Sequence, residues 1–176
     1  MSVIGNTGSA NASVAVIAKE AGVSVGYLYR HYAGKDELIN DILDKTFDLM
    51  SDKIESLILE NKETSDLIGG FIRFLFDTAQ KNPDKMRFVL TLQNDFSYKI
   101  SEHILTRLRS LCEDLLQRGQ TANAINPRIT AEDIYVIMLS TPLQYIGARI
   151  RSIFGKDSPD EKTIRKITAI CLSAIK

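Results

Sequence analysis

Cysteine is scarce: Cys112 and Cys171 are the only two, far apart in sequence. A disulfide framework needs more, and neither stands at a metal-ligand spacing, so both read as apolar packing in a reducing cytosol. Histidine is as scarce, with His31 and His103 alone. Four such scattered groups assemble no nucleophile–base pair and no metal set, which argues against an enzyme. No cofactor is expected. No apolar run approaches the length of a membrane span and no signal peptide opens the chain, so the expected location is cytoplasmic. Repeats, a glycine-rich phosphate loop and strand-like alternation are also missing. An excess of one charge is missing too: 22 basic residues balance 22 acidic ones. Any meeting with a polyanion must therefore be local.

What remains is 44% hydrophobic and 25% charged, and its apolar residues recur at helical spacing almost throughout. Residues 13–38 read SVAVIAKEAGVSVGYLYRHYAGKDEL. Ser13 is placed to cap a helix carrying Val14, Ile17, Ala18 and Ala21 on one face. Gly22 follows where a left-handed residue is wanted. Ser24 is placed to cap a second short helix, Val25 to Tyr32. Two short helices around a glycine turn make a helix-turn-helix, whose second helix enters the DNA major groove. Leu28 and Tyr32, four apart, are expected to pack on Ile17 and Ala21. Through Lys35 this module holds Lys19, Arg30 and Lys35 against Glu20. The phosphate attraction is then modest, and tight binding needs two copies.

The stretch resembles the DNA-binding core of the tetracycline repressor (TetR-like) family of bacterial transcription factors. The resemblance rests on Ile17-Ala18, Ala21-Gly22-Val23-Ser24, Gly26, Leu28-Tyr29, Tyr32 and Lys35 to Leu38. It implies an all-α fold: an N-terminal helix-turn-helix module (1–46) joined by a long helix to a ligand-binding and dimerisation body (47–176). It also implies a DNA-contacting set of Ser24, Val25, Gly26, Tyr27, Tyr29, Arg30, His31 and Lys35. Among these, Val25 to Tyr27 would face bases, while Tyr29, His31 and Lys35 would grip phosphates. Relatives carry a further helix ahead of this motif. Residues 1–12, MSVIGNTGSANA, read as loop, so that first helix is expected to be missing or truncated.

Beyond the motif, Lys35 to about Glu60 keeps a helical period. Gly69-Gly70 marks close helix packing inside the next helix. Pro83 opens a short helix, and another runs from about Tyr98 to Arg118, stopped by Gly119. A long one runs from Thr130 to about Phe154 with a kink at Pro142. Pro159 is expected at the first position of the last. Between the middle helices a pocket is expected, with candidate lining Phe71, Phe74, Leu75, Met86, Phe88, Val89, Phe96, Tyr98, Leu108, Tyr135, Met138, Gln144 and Tyr145. Such a wall suits a hydrophobic or aromatic effector. Surplus apolar positions on the last two helices, namely Leu139, Leu143, Ile146, Ile150, Ile153, Ile164, Ile167 and Cys171, are assigned to a homodimer interface, since a two-fold pair is the commonest soluble oligomer. Together these readings describe a dimeric regulator on a palindromic double-stranded operator, a repressor as most of the family are, released by a small molecule. The competing reading is a dimeric binding or interaction protein whose shortened N-terminus has lost DNA.

Overall fold

Short polar side chains start many of the helices by satisfying free backbone N–H groups. The computed structural model describes residues 1–7, 12–60, 63–93, 95, 98, 100–153 and 160–176. Its helices are α1 (Ser2–Thr7), α2 (Val14–Glu20), α3 (Val25–His31), α4 (Lys35–Leu59), α5 (Thr64–Lys81), α6 (Pro83–Gln93), α7 (Glu102–Thr121), α8 (Ala131–Tyr135), α9 (Thr141–Ile150) and α10 (Glu161–Ala174). The hydroxyl of Ser13 accepts from the Val16 amide, and that of Ser24 from the Tyr27 amide at 3.1 Å. Gly22 takes φ +69°, and around it the Val23 amide reaches back to Ala18 and the Gly22 amide to Lys19. This Schellman closure fixes the angle at which α3 leaves α2. Thr130 and Asp133 cap α8 reciprocally. Asp160 caps α10, whose first residue is Glu161; Pro159, expected at that first position, lies outside the described residues.

At Pro142 the helix changes its hydrogen bonding, by a defined route. Proline has no N–H to give the carbonyl four residues back. Ahead of it, Val136–Ser140 widens into a π turn, and the Thr141 amide bonds the Val136 carbonyl five residues back. The chain then resumes as α9 with Pro142 in its first turn.

Helix α5 is the centre of the body. Ile68, Phe71, Ile72, Leu75 and Phe76 are almost wholly buried, each stabilising by about 1.5–3 kcal/mol relative to exposure. The glycine pair lets neighbours close on it. A Cβ on Gly70 would sit 2.9 Å from Leu57 of α4, and one on Gly69 would sit 3.4 Å from Thr168 of α10. The Arg73 guanidinium clamps both Glu161 oxygens, at 2.6 and 2.7 Å, and so ties α5 to α10. Arg73, then Arg165, hold Glu161 down at about 2 against an ordinary 4.5. A depressed carboxyl stabilises the fold above its unfolded value and loses that contribution as pH falls through its folded one. Thermal unfolding of Glu161→Gln should therefore show a flatter acid limb between pH 4.5 and 2 than the parent chain.

Three expectations are corrected. Residues 1–12 are not all loop: Ser2–Thr7 is helical, and Ile4 is 1% exposed. Six residues containing a glycine do not hold a helix alone. Here packing on α6 supplies the stability, and Gly5 permits it, since a Cβ there would lie 2.9 Å from the Arg87 Cβ. Gly119 does not stop α7, which continues to Thr121. Its role is contact: a Cβ would lie 2.2 Å from the Ile125 Cδ1, and the Gly119 carbonyl accepts from the Ala124 and Ile125 amides. Gly119→Ala should lower stability by roughly 1–3 kcal/mol in chemical unfolding, because buried Ile125 must leave its rotamer. Ala21 is exposed at the end of α2 rather than under Tyr32. The domain boundary expected at residue 46 lies within α4, which runs unbroken from the helix-turn-helix into the body.

Candidate nucleic-acid interface and interior cavity

The helix-turn-helix rests on a small apolar base. Ile17, Ala18 and Leu28 are buried, and so are Leu38 and Ile39 near the start of α4. Tyr32 is half-buried, and its hydroxyl donates to Asp41 at 2.7 Å. Lys45 donates to the same oxygen at 2.7 Å. Lys45, more than Tyr32, holds the Asp41 carboxyl below the usual range. The end of α3 is thereby pinned to the second turn of α4.

With Leu28 turned inward, the rest of α3 faces solvent. Ser24, Val25, Gly26, Tyr27, Tyr29, Arg30 and His31 are all exposed, and Lys35 is half-exposed at the start of α4. Tyr27 is 51% and Tyr29 56% exposed, far more than structural packing would leave a tyrosine. The Tyr27 and His31 rings lie 4.8 Å apart, one helical turn from each other. Nothing stands within 4 Å of a Cβ built on Gly26, so the helix surface beside Tyr27 is open to a flat partner. The DNA candidates are thus all at least half-exposed to solvent, and Ser24 has its oxygen committed to the cap.

The pocket candidates divide. Phe71, Leu108, Tyr135 and Met138 do converge, together with Met50, Ile54, Leu111, Cys112, Leu115, Ile134 and Leu139, on an interior cavity of about 20 Å³. Outside it lies a groove of about 390 Å³ between α7 and α8, and Leu108, Cys112 and Tyr135 line both. Leu75, Met86, Phe88 and Val89 are instead plain core. Phe74 stacks on Phe71 at 6.2 Å, and Tyr145 packs on Phe76 and under Arg149. Gln144 is exposed on α9, lining a different groove. Tyr98 is half-buried away from the cavity, and Phe96 lies outside the described residues. Burial, and then Glu113, push the Cys112 thiol up to about 11. A protonated thiol is a wall atom, not a nucleophile.

The assignment of the dimer residues needs correction. Leu139, Leu143, Ile146, Ile164, Ile167 and Cys171 are buried within their own chain. Cys171 even donates its S–H to the Ile137 carbonyl at 3.4 Å. Ile150 is half-exposed and Ile153 exposed. Val136 in the π turn and Ile170 on α10 are 49% and 46% exposed.

Comparison with known proteins agrees with this geometry. Residues 1–52 match the profile of bacterial regulatory proteins of the tetR family. Residues 66–175 match a tetracyclin repressor-like C-terminal domain. The chain is 32% identical over 111 residues to an HTH-type transcriptional regulator of Staphylococcus aureus, a match spanning 62% of this chain and 56% of that protein. It is 25% identical over 137 residues to the nucleoid occlusion factor SlmA of Vibrio cholerae, spanning 73% of this chain and 70% of that one. Among solved structures, a TetR family regulator from Marinobacter aquaeolei superposes with a TM-score of 0.79 at 19% identity, over 98% of this chain and 88% of that chain. The fatty acid degradation regulator FadR from Bacillus halodurans does so with a TM-score of 0.77 at 18% identity, over 99% and 94%. At such identities these structures speak to fold alone. Among the described residues no helix is long and apolar enough to cross a membrane. With both halves matched by family profiles, the chain belongs to the TetR family of bacterial regulatory proteins.

Proposed function

We propose that this chain regulates transcription as a dimer that binds a palindromic operator and releases it when a small apolar molecule enters the body. One observation carries the reading: α4 is both wall and base. Its Met50 and Ile54 line the cavity, while its Asp41 holds Tyr32 at the foot of the recognition helix. Whatever enlarges the cavity presses on the helix that sets the head's position. The effector class follows from the wall, which is carbon and sulfur apart from the Tyr135 hydroxyl. At about 20 Å³ the cavity is closed to anything larger than water, so an effector must open it. The groove sharing Leu108, Cys112 and Tyr135 is the proposed way in. For ordinary coupling the effector binds the DNA-incompetent state better by about 1–3 kcal/mol.

For the dimer we assign Val136 and Ile170 as contacts, with Ile150 and Ile153 as further contacts at and beyond the far end of α9. The competing reading, a binding protein without DNA, drew on a missing or truncated first helix; a short helix, Ser2–Thr7, does stand there, packed mainly on α6. The deciding experiment is fluorescence anisotropy with DNA from immediately upstream of the chain's own gene, at two salt concentrations. Salt-sensitive binding that survives competitor DNA is expected. Binding no better than to random DNA would sink the proposal. Light scattering should give a dimer for the parent chain and a monomer for Val136→Lys/Ile170→Lys.

A further inference from the structure

Arg107 reaches from α7 to one edge of α4, and its three nitrogens go to three separate carboxylates. Nε donates to Glu55 at 2.9 Å, Nη1 to Asp48 at 2.8 Å and Nη2 to Asp52 at 2.6 Å. The acids stand four and three residues apart, so they share one face of α4. The guanidinium is the shielded member, with its side chain 21% exposed against 41–61% for the acids. Their hydrogen bonds keep Arg107 firmly protonated. Three negative charges therefore surround one positive charge. Without the cation, like charges one turn apart would repel.

The same acidic edge continues toward the head. Asp44 accepts from the Ser101 amide at 3.2 Å, just ahead of α7. Asp41, three residues earlier, takes the Tyr32 hydroxyl. On the α7 side, Leu108 is Arg107's chain neighbour, and Leu111, Cys112 and Leu115 follow it along the cavity wall. One helix thus presents its apolar face to the cavity and the Arg107 guanidinium to α4.

We propose that Arg107 is the positioning residue that couples cavity to head. It grips α4 at Asp48, Asp52 and Glu55, so a shift of α7 is carried along α4 to Tyr32 and the recognition helix. This rests on the regulator reading above for its purpose, not for its geometry.

The test is hydrogen exchange followed by mass spectrometry on the full chain and on Arg107→Met, Arg107→Lys and Asp52→Asn. In Arg107→Met, peptides covering residues 44–58 and 14–32 should exchange at least tenfold faster, with α5 and α10 unchanged. Arg107→Lys should recover part of the protection, since one ammonium cannot meet three separate carboxylates. Asp52→Asn should not accelerate exchange, because it removes a surplus charge and leaves the guanidinium two acids. A merely structural ion pair predicts the opposite for Asp52→Asn. Unchanged exchange in Arg107→Met overturns the proposal. So does acceleration spread equally into α5 and α10, or Asp52→Asn matching Arg107→Met. If the parent chain fails to bind operator DNA by anisotropy, the regulator reading falls, while the exchange data still decide whether Arg107 governs α4.

Discussion

Tyr27→Ala should weaken specific DNA binding by about 2–6 kcal/mol in the dimer, since a good base contact is worth about 1–3 kcal/mol and the dimer makes it twice. The backbone at this position is held by Ser24, which caps the Tyr27 amide at 3.1 Å. The ring carries no core packing, being 51% exposed. Its neighbour is His31, at 4.8 Å, also on the surface. Removing it should therefore change stability by no more than about 0.5 kcal/mol, so a binding loss would not be an unfolding loss. Anisotropy against operator and random DNA separates the roles. A base-reading Tyr27 loses affinity for operator and leaves random-sequence binding and the salt slope unchanged. Arg30→Ala should behave differently, weakening both equally and reducing the salt slope by about one for each phosphate the guanidinium neutralises in the parent complex. Equal weakening by Tyr27→Ala would assign Tyr27 to the backbone and move base reading to Val25 and its neighbours.

The head was legible because its signals are local. A capping serine, a φ-positive glycine and the inward Leu28 each act within a few residues, and Ser13, Ser24 and Gly22 perform the roles their spacing implies. The failures are all tertiary. Nothing within residues 1–7 predicts a helix; α6 supplies the partner that makes burying Ile4 favourable. Gly119 ends an apolar stripe as a C-terminal glycine would, yet what demands a glycine is Ile125, pressed against it from the following loop. Apolar positions on α9 and α10 cannot say whether they face their own core or a partner. Ile164 and Ile167 face inward, while Ile170, next on the same helix, faces outward. In sequence Asp48, Asp52 and Glu55 are only acids at helical spacing; what gathers them is Arg107, more than fifty residues later.

Core and cavity wall were also indistinguishable in sequence, and Phe71 is where the difference has the largest consequence. Its side chain is 1% exposed and lines the interior cavity. Phe71→Ala should destabilise by about 3–5 kcal/mol, a large part of the roughly 5–15 kcal/mol that holds a domain. Phe71→Leu, milder, serves if the alanine variant is too unstable. The missing ring also adds to the existing cavity, and an enlarged apolar space stays dry and accepts apolar guests. Naphthalene or indole should then raise the melting temperature of Phe71→Ala, by an amount equivalent to about 2.7 kcal/mol at a hundred times its dissociation constant. Phe76→Ala is the control. Phe76 is as deeply buried but lies outside the cavity lining, so its isolated void should accept benzene and not the larger guests. If the cavity is the effector's room, naphthalene must do more than stabilise Phe71→Ala; it must also loosen that variant's grip on operator DNA by about 1–3 kcal/mol. Stabilisation with unchanged DNA affinity would keep the cavity as a packing defect and place the effector elsewhere, with the α7–α8 groove outside Tyr135 as the next position to test.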